Sequence, residues 1–165
     1  MKSLAVAFTG PSNSGKTTLI VKLSTLLKGR YKIAIIKHDP KDKAIFDIEN
    51  KDSYKFSQAG ANVAVTSPKR TTYFFHDNQT LNSIISTLLP FDILFVEGLK
   101  ELDLPRVAIF RNEIDESYLP YCKAIAIDES INLKNYNIPE NIAVLDLNNE
   151  KMVADWVLKN AKEIR

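Results

Sequence analysis

The sequence predicts an α/β fold: a three-layer sandwich with a mostly parallel sheet, helices on both faces, and a small antiparallel hairpin or sub-sheet. Three observations predict it. Short apolar runs alternate with amphipathic segments along the chain, as in proteins whose parallel strands are covered by helices. The first apolar run leads into Gly10-Pro11-Ser12-Asn13-Ser14-Gly15-Lys16-Thr17, which matches G-x-x-x-x-G-K-[ST] at every fixed position. Two later runs flank Pro68 too closely for a parallel crossover, so they form a hairpin. The 165 residues suit a single domain spanning 1–165.

Each element follows from its residues. Residues 4–9 are apolar throughout and read as a strand buried on both faces. Residues 16–28 form a helix, with Leu19, Ile20, Leu23, Leu26 and Leu27 near a 3.6 period and Gly29 as its stop. A second strand covers 31–37, and Pro40 breaks the chain soon after. Residues 39–50 are polar and irregular. A short helix spans 53–59 and stops at Gly60. Strands at 62–66 and 70–76 are joined by the Ser67-Pro68 turn. A helix at 79–89 ends at Pro90. Strands follow at 91–96, 105–110, 122–127 and 142–145. The tail from Asn149 is a helix with Val153, Trp156, Val157 and Ile164 on one face.

Composition excludes several classes. With 45% hydrophobic and 25% charged residues, the chain is neither disordered, collagen-like nor a membrane bundle. No apolar run approaches the roughly 18 residues of a membrane span, and residues 4–8 are too short for an export signal. The cytoplasm is the expected compartment. A net charge of +2 gives no footprint for nucleic acid. The single cysteine, Cys122, cannot form an internal disulfide.

The Gly10–Thr17 motif assigns tasks residue by residue. Gly10 and Gly15 let the backbone turn tightly and approach phosphate oxygens. The amides from Asn13 through Ser14 to Thr18 then face one concavity at a helix N-terminus. Lys16 places its charge on the β- and γ-phosphates, the Thr17 hydroxyl ligates Mg2+, and Thr18 reaches the α-phosphate. Such a site needs a second carboxylate at the C-terminal end of a neighbouring strand. In the run 92–98, Glu97 sits at that end and Asp92 at the other, so Glu97 is assigned to the metal or to an attacking water. Asp39, just past the second strand, is a further candidate for the metal's water shell. Lys37, Lys51, Arg70 and Lys100 gather near the same edge, with His38 beside them; each suits an anionic ligand or a solvated face. Asp128, after strand 122–127, stands where a base-reading loop is expected, or caps a helix. Asn50-Lys51-Asp52-Ser53 approaches a guanine-reading Asn-Lys-x-Asp but lacks the final aspartate.

Four motifs together resemble the MobB family of molybdopterin-guanine dinucleotide biosynthesis adapter proteins: Gly10–Thr18; Ile36-Lys37-His38-Asp39; Lys51-Asp52-Ser53 with Ala59-Gly60-Ala61; and Glu97-Gly98-Leu99-Lys100. The resemblance covers about residues 1–130. Asn50 replaces the family's usual glycine before Lys51, and Pro40-Lys41 replaces a frequent second histidine. The resemblance implies a P-loop protein that binds GTP and Mg2+ and hydrolyses GTP weakly. It implies a homodimer built partly by the hairpin strands. It implies as partners the molybdopterin guanylyltransferase, which joins GMP to molybdopterin, other molybdenum-cofactor proteins, and molybdopterin itself. Lys51, Asp52, Ser53, Arg70 and Lys100 would then line a second ligand or switch surface. The competing expectation is a small-molecule kinase using the same loop; the arginines form no lid-like cluster to support it.

Overall fold

A computed structural model describes residues 2–165. The chain gathers into two compact units: one comprises the stretches up to His38 and from Pro90 onward, the other Asp39–Leu89.

The larger unit is a seven-stranded sheet. Its strands are β1 (Leu4–Thr9), β2 (Ile33–Lys37), β5 (Ile93–Glu97), β6 (Arg106–Phe110), β7 (Ala124–Ile127), β8 (Ala143–Asp146) and the short β9 (Lys162–Glu163). They lie in the order β2-β5-β1-β6-β7-β8 and are parallel along that path. β9 runs antiparallel against the beginning of β1, pairing Leu4 with Glu163 and Ala5 with Lys162. β1 is the central strand and is buried from Ala5 to Thr9, as its unbroken apolar run requires.

Helices α1 (Lys16–Leu27) and α4 (Glu150–Asn160) cover one face. Leu19, Leu23 and Leu27 of α1 and Val153 and Val157 of α4 pack there against Val6, Phe8, Ile109 and Leu145. The opposite face buries Ala108, Phe110, Ile125 and Ile127 beneath a 3-10 helix at Glu116–Tyr121 and the segments around Ile131 and Ile142.

The second strand begins two residues later than its apolar run. The Tyr31 amide still donates to Leu27 at the end of α1, and the Lys32 amide donates to the Asp92 carboxylate at 2.7 Å. The tail corrects the sequence reading: the helix stops at Asn160, and Ile164 is not on it. Asn160 turns its side-chain amide back onto the Trp156 carbonyl. The chain then extends, and the Ile164 amide donates to Ser3 at 2.9 Å.

The smaller unit contains α2 (Asp52–Gln58), the two-stranded antiparallel sheet β3 (Val63–Thr66) and β4 (Thr71–Phe74), and α3 (Leu81–Leu88). The turn expected at Ser67-Pro68 is closed by the Ser67 amide on the Arg70 carbonyl, 2.9 Å. None of these elements contains a buried residue.

Candidate functional site

The site starts where β1 stops. Gly10 follows Thr9 with φ +136°, and a Cβ placed there would lie 2.3 Å from the Ile109 carbonyl of β6. Only glycine lets the loop cross β6 so closely. Asn13 takes a left-handed φ of 62°, and Gly15 at φ +100° starts α1. Gly15 caps the helix with no side-chain bond, so the first-turn amides remain available to an anion. The Ser14 hydroxyl is buried in the loop with no partner among the described residues.

Lys16 folds its ammonium onto the loop's own carbonyls, Gly10 at 3.0 Å and Pro11 at 2.5 Å. Burial pushes its pKa below the ordinary lysine value; the negative charge of Glu97 opposes that shift and the positive charge of Lys37 adds to it. The sheet brings Glu97 and Lys37 to one edge: Glu97 ends β5 and pairs in register with Phe8 of β1 and with Lys37 of β2. Asp92 lies at the opposite end of β5. Thr17 and Thr18 are exposed on the first turn of α1.

No three His, Cys, Asp or Glu residues gather as a metal cluster among the described residues. A hydroxyl and one carboxylate, Thr17 and Glu97, suit Mg2+ completed by phosphate oxygens and water. The half-buried lysine, the amide cup and the orphaned Ser14 hydroxyl likewise fit an anionic phosphate chain.

The remaining candidates divide between the units. His38 stays beside Glu97: its amide donates to the Glu97 carbonyl at 3.0 Å, and its Cβ lies 3.2 Å from where Gly98 would carry one. The Lys100 ammonium sits 4.0 Å from the centroid of the Tyr118 ring. Asp128 follows β7, accepts from the Ser130 amide and hydroxyl, and faces Arg111 Nε at 3.4 Å. The Ser130 hydroxyl is the main cause of its lowered pKa.

Asp39, Lys51, Asp52, Ser53 and Arg70 belong to the smaller unit. The Asp39 carboxylate accepts from the amides of Lys41, Lys43 and Ala44 and shapes the loop that follows it. Lys51 is the N-cap of α2, and Asp52 pairs with Lys55 at 3.5 Å. The Ser53 hydroxyl donates to Asp47 at 3.0 Å, and Arg70 closes the hairpin turn.

Two arginines escape a reading based on motifs. Arg111 follows β6, and its guanidinium lies 3.5–3.7 Å from the position a Gly15 Cβ would take. Arg106 opens β6 and is 1% exposed. The available signal was a charged residue heading the otherwise apolar run Arg106-Val107-Ala108-Ile109-Phe110.

Known proteins similar to this chain identify its family and its fold. The family described as molybdopterin guanine dinucleotide synthesis protein B matches residues 5–128. A putative molybdopterin-guanine dinucleotide biosynthesis adapter protein of Methanocaldococcus jannaschii is 33% identical over 142 residues, 82% of this chain; the chain spans 58% of that relative's length. The adapter protein of Escherichia coli is 31% identical over 165 residues, covering 93% of this chain and 91% of the relative. Among solved structures, Bacillus subtilis MobB superposes with a TM-score of 0.74 at 23% identity, covering 96% of this chain and 98% of that one, a likeness of fold. The chain belongs to the MobB family.

Proposed function

We propose that this protein is a GTP-binding adapter in molybdenum cofactor biosynthesis, assisting the attachment of GMP to molybdopterin, with weak Mg2+-dependent GTPase activity. The observation that carries the reading is the register that sets Glu97, at the end of β5, beside Phe8 of β1, the strand that runs into the glycine-framed loop. Gly10, Ser12, Asn13, Ser14, Gly15 and Thr18 would bind the phosphate chain through the amide cup. Lys16 would leave the Gly10 and Pro11 carbonyls for the β- and γ-phosphate oxygens. Thr17 and Glu97 would hold Mg2+, which when bound neutralises charge building on those oxygens. Glu97 would also orient the attacking water.

Homodimerisation belongs to the same proposal. The smaller unit exposes Ile45 (90%), Phe46 (83%), Ile48 and Phe56, and its two-stranded sheet has open edges suited to a second copy. Its Lys51, Asp52, Ser53 and Arg70 would serve a second anionic ligand such as a pterin phosphate. The proposed partners are the guanylyltransferase and its product pathway. No helix among the described residues is long and apolar enough to cross a membrane.

Calorimetric titration of GTP against ATP, each with Mg2+, tests the reading. Tight GTP binding with ATP much weaker is expected. Equal affinities, with nucleoside diphosphate released only when a metabolite acceptor is added, would instead favour a small-molecule kinase.

A further inference from the structure

The connection from β5 to β6 must pass β1, yet it has only eight residues, 98–105, and no helix. Parallel crossovers ordinarily need a dozen residues or more. This one is short because β6 starts late, with Arg106 level with Ala7 of β1. Its backbone is correspondingly tight. Gly98 has φ +92°, and Leu99, which carries a Cβ, has φ +50°.

The Arg106 guanidinium binds this connection directly. Nη1 donates to the Gly98 carbonyl at 3.2 Å; Nη2 donates to the carbonyls of Leu99, Lys100 and Leu102, each at 3.1 Å. No carboxylate pairs with Arg106 among the described residues. Cys122 does not replace one, because its buried thiol is pushed up to about 11 and stays protonated. A buried guanidinium is costly unless its donors are matched, and here the match is entirely with the chain that leaves Glu97. The planar fork reaches four carbonyls from two separate nitrogens, which the single nitrogen of an ammonium cannot copy.

We propose that Arg106 is a positioning residue for Glu97: by gathering four carbonyls of residues 98–102 it locks the connection after β5 and so fixes the direction of the Glu97 carboxylate at the phosphate loop. This rests on the reading of Glu97 as the acid that works with Mg2+.

The test compares Arg106→Lys, Glu97→Gln and the double variant by GTP titration in EDTA and in Mg2+, with hydrogen exchange across 98–104. Arg106→Lys should keep its EDTA affinity, lose about tenfold of the Mg2+-dependent gain, and exchange faster across 98–104. The double variant should be no worse than Glu97→Gln alone. A folded Arg106→Lys with wild-type Mg2+ dependence, or losses that multiply in the double variant, would overturn the proposal. If Glu97→Gln itself leaves the Mg2+ dependence intact, the metal reading fails, and exchange across 98–104 alone decides whether Arg106 holds the connection. Should Arg106→Lys not fold, wild-type NMR gives the answer: separate, slowly exchanging Arg106 Nη protons support the cage, and averaged ones sink it.

Discussion

In the larger unit, β1, β5, β6 and β7 bury almost every side chain they carry, whereas in the smaller unit α2, β3, β4 and α3 bury none. The larger unit's strands are nearly unbroken apolar runs, whereas β3 and β4 mix apolar residues with threonine. Closure adds to that difference. Parallel strands covered by α1, α4 and the segments around Ile114 and Ile131 remove their apolar surface from water, at roughly 25 cal/mol per Å2. A two-stranded hairpin with short helices has no second layer of its own. Rigid geometry therefore belongs to the larger unit, and unsatisfied apolar surface to the smaller.

Substitutions in either unit probe this division. The largest effect is expected in the larger unit: Lys16→Ala should weaken nucleotide binding by about two orders of magnitude in calorimetry, leaving oligomeric state unchanged. Gly10→Ala comes next. Its methyl would collide with the Ile109 carbonyl at a backbone angle alanine avoids, and urea unfolding should report a loss of about 2 kcal/mol. In the smaller unit, Phe46→Ser combined with Ile48→Ser should raise the dimer dissociation constant about tenfold or more in sedimentation, with nucleotide affinity unchanged. A loss of nucleotide binding with the dimer intact would mean the units do not divide their labour this way.

The smallest effect concerns Cys122. Its folded pKa lies above the unfolded value, so it favours folding while protonated, and that contribution disappears as pH rises from about 9 towards 11. At pH 8 the native thiol should resist iodoacetamide and react only on unfolding; rapid labelling of native protein would contradict its burial.

What was legible followed from local rules. Gly10, Gly15, Lys16 and Thr17 announce themselves because a phosphate cup needs those residue types in that order. Glu97 is legible because it ends an apolar strand whose neighbour carries the loop. The tail reads as one long helix because Val153, Val157 and Ile164 keep a helical period, while the helix end depends on Asn160 and on a place for β9 beside β1. Arg106 was missed for a related reason: its partners are main-chain carbonyls of an irregular segment, and no spacing rule encodes them.

On the proposed function, Glu97 and the Gly10–Thr18 loop bind a metal–triphosphate pair together. The most direct measurement is GTP affinity of wild type and Glu97→Gln, each with Mg2+ and with EDTA. Mg2+ should tighten wild type about tenfold or more and do little for the variant, the two proteins matching in EDTA. Equal Mg2+ enhancement in both, or no GTP binding by wild type, would contradict it.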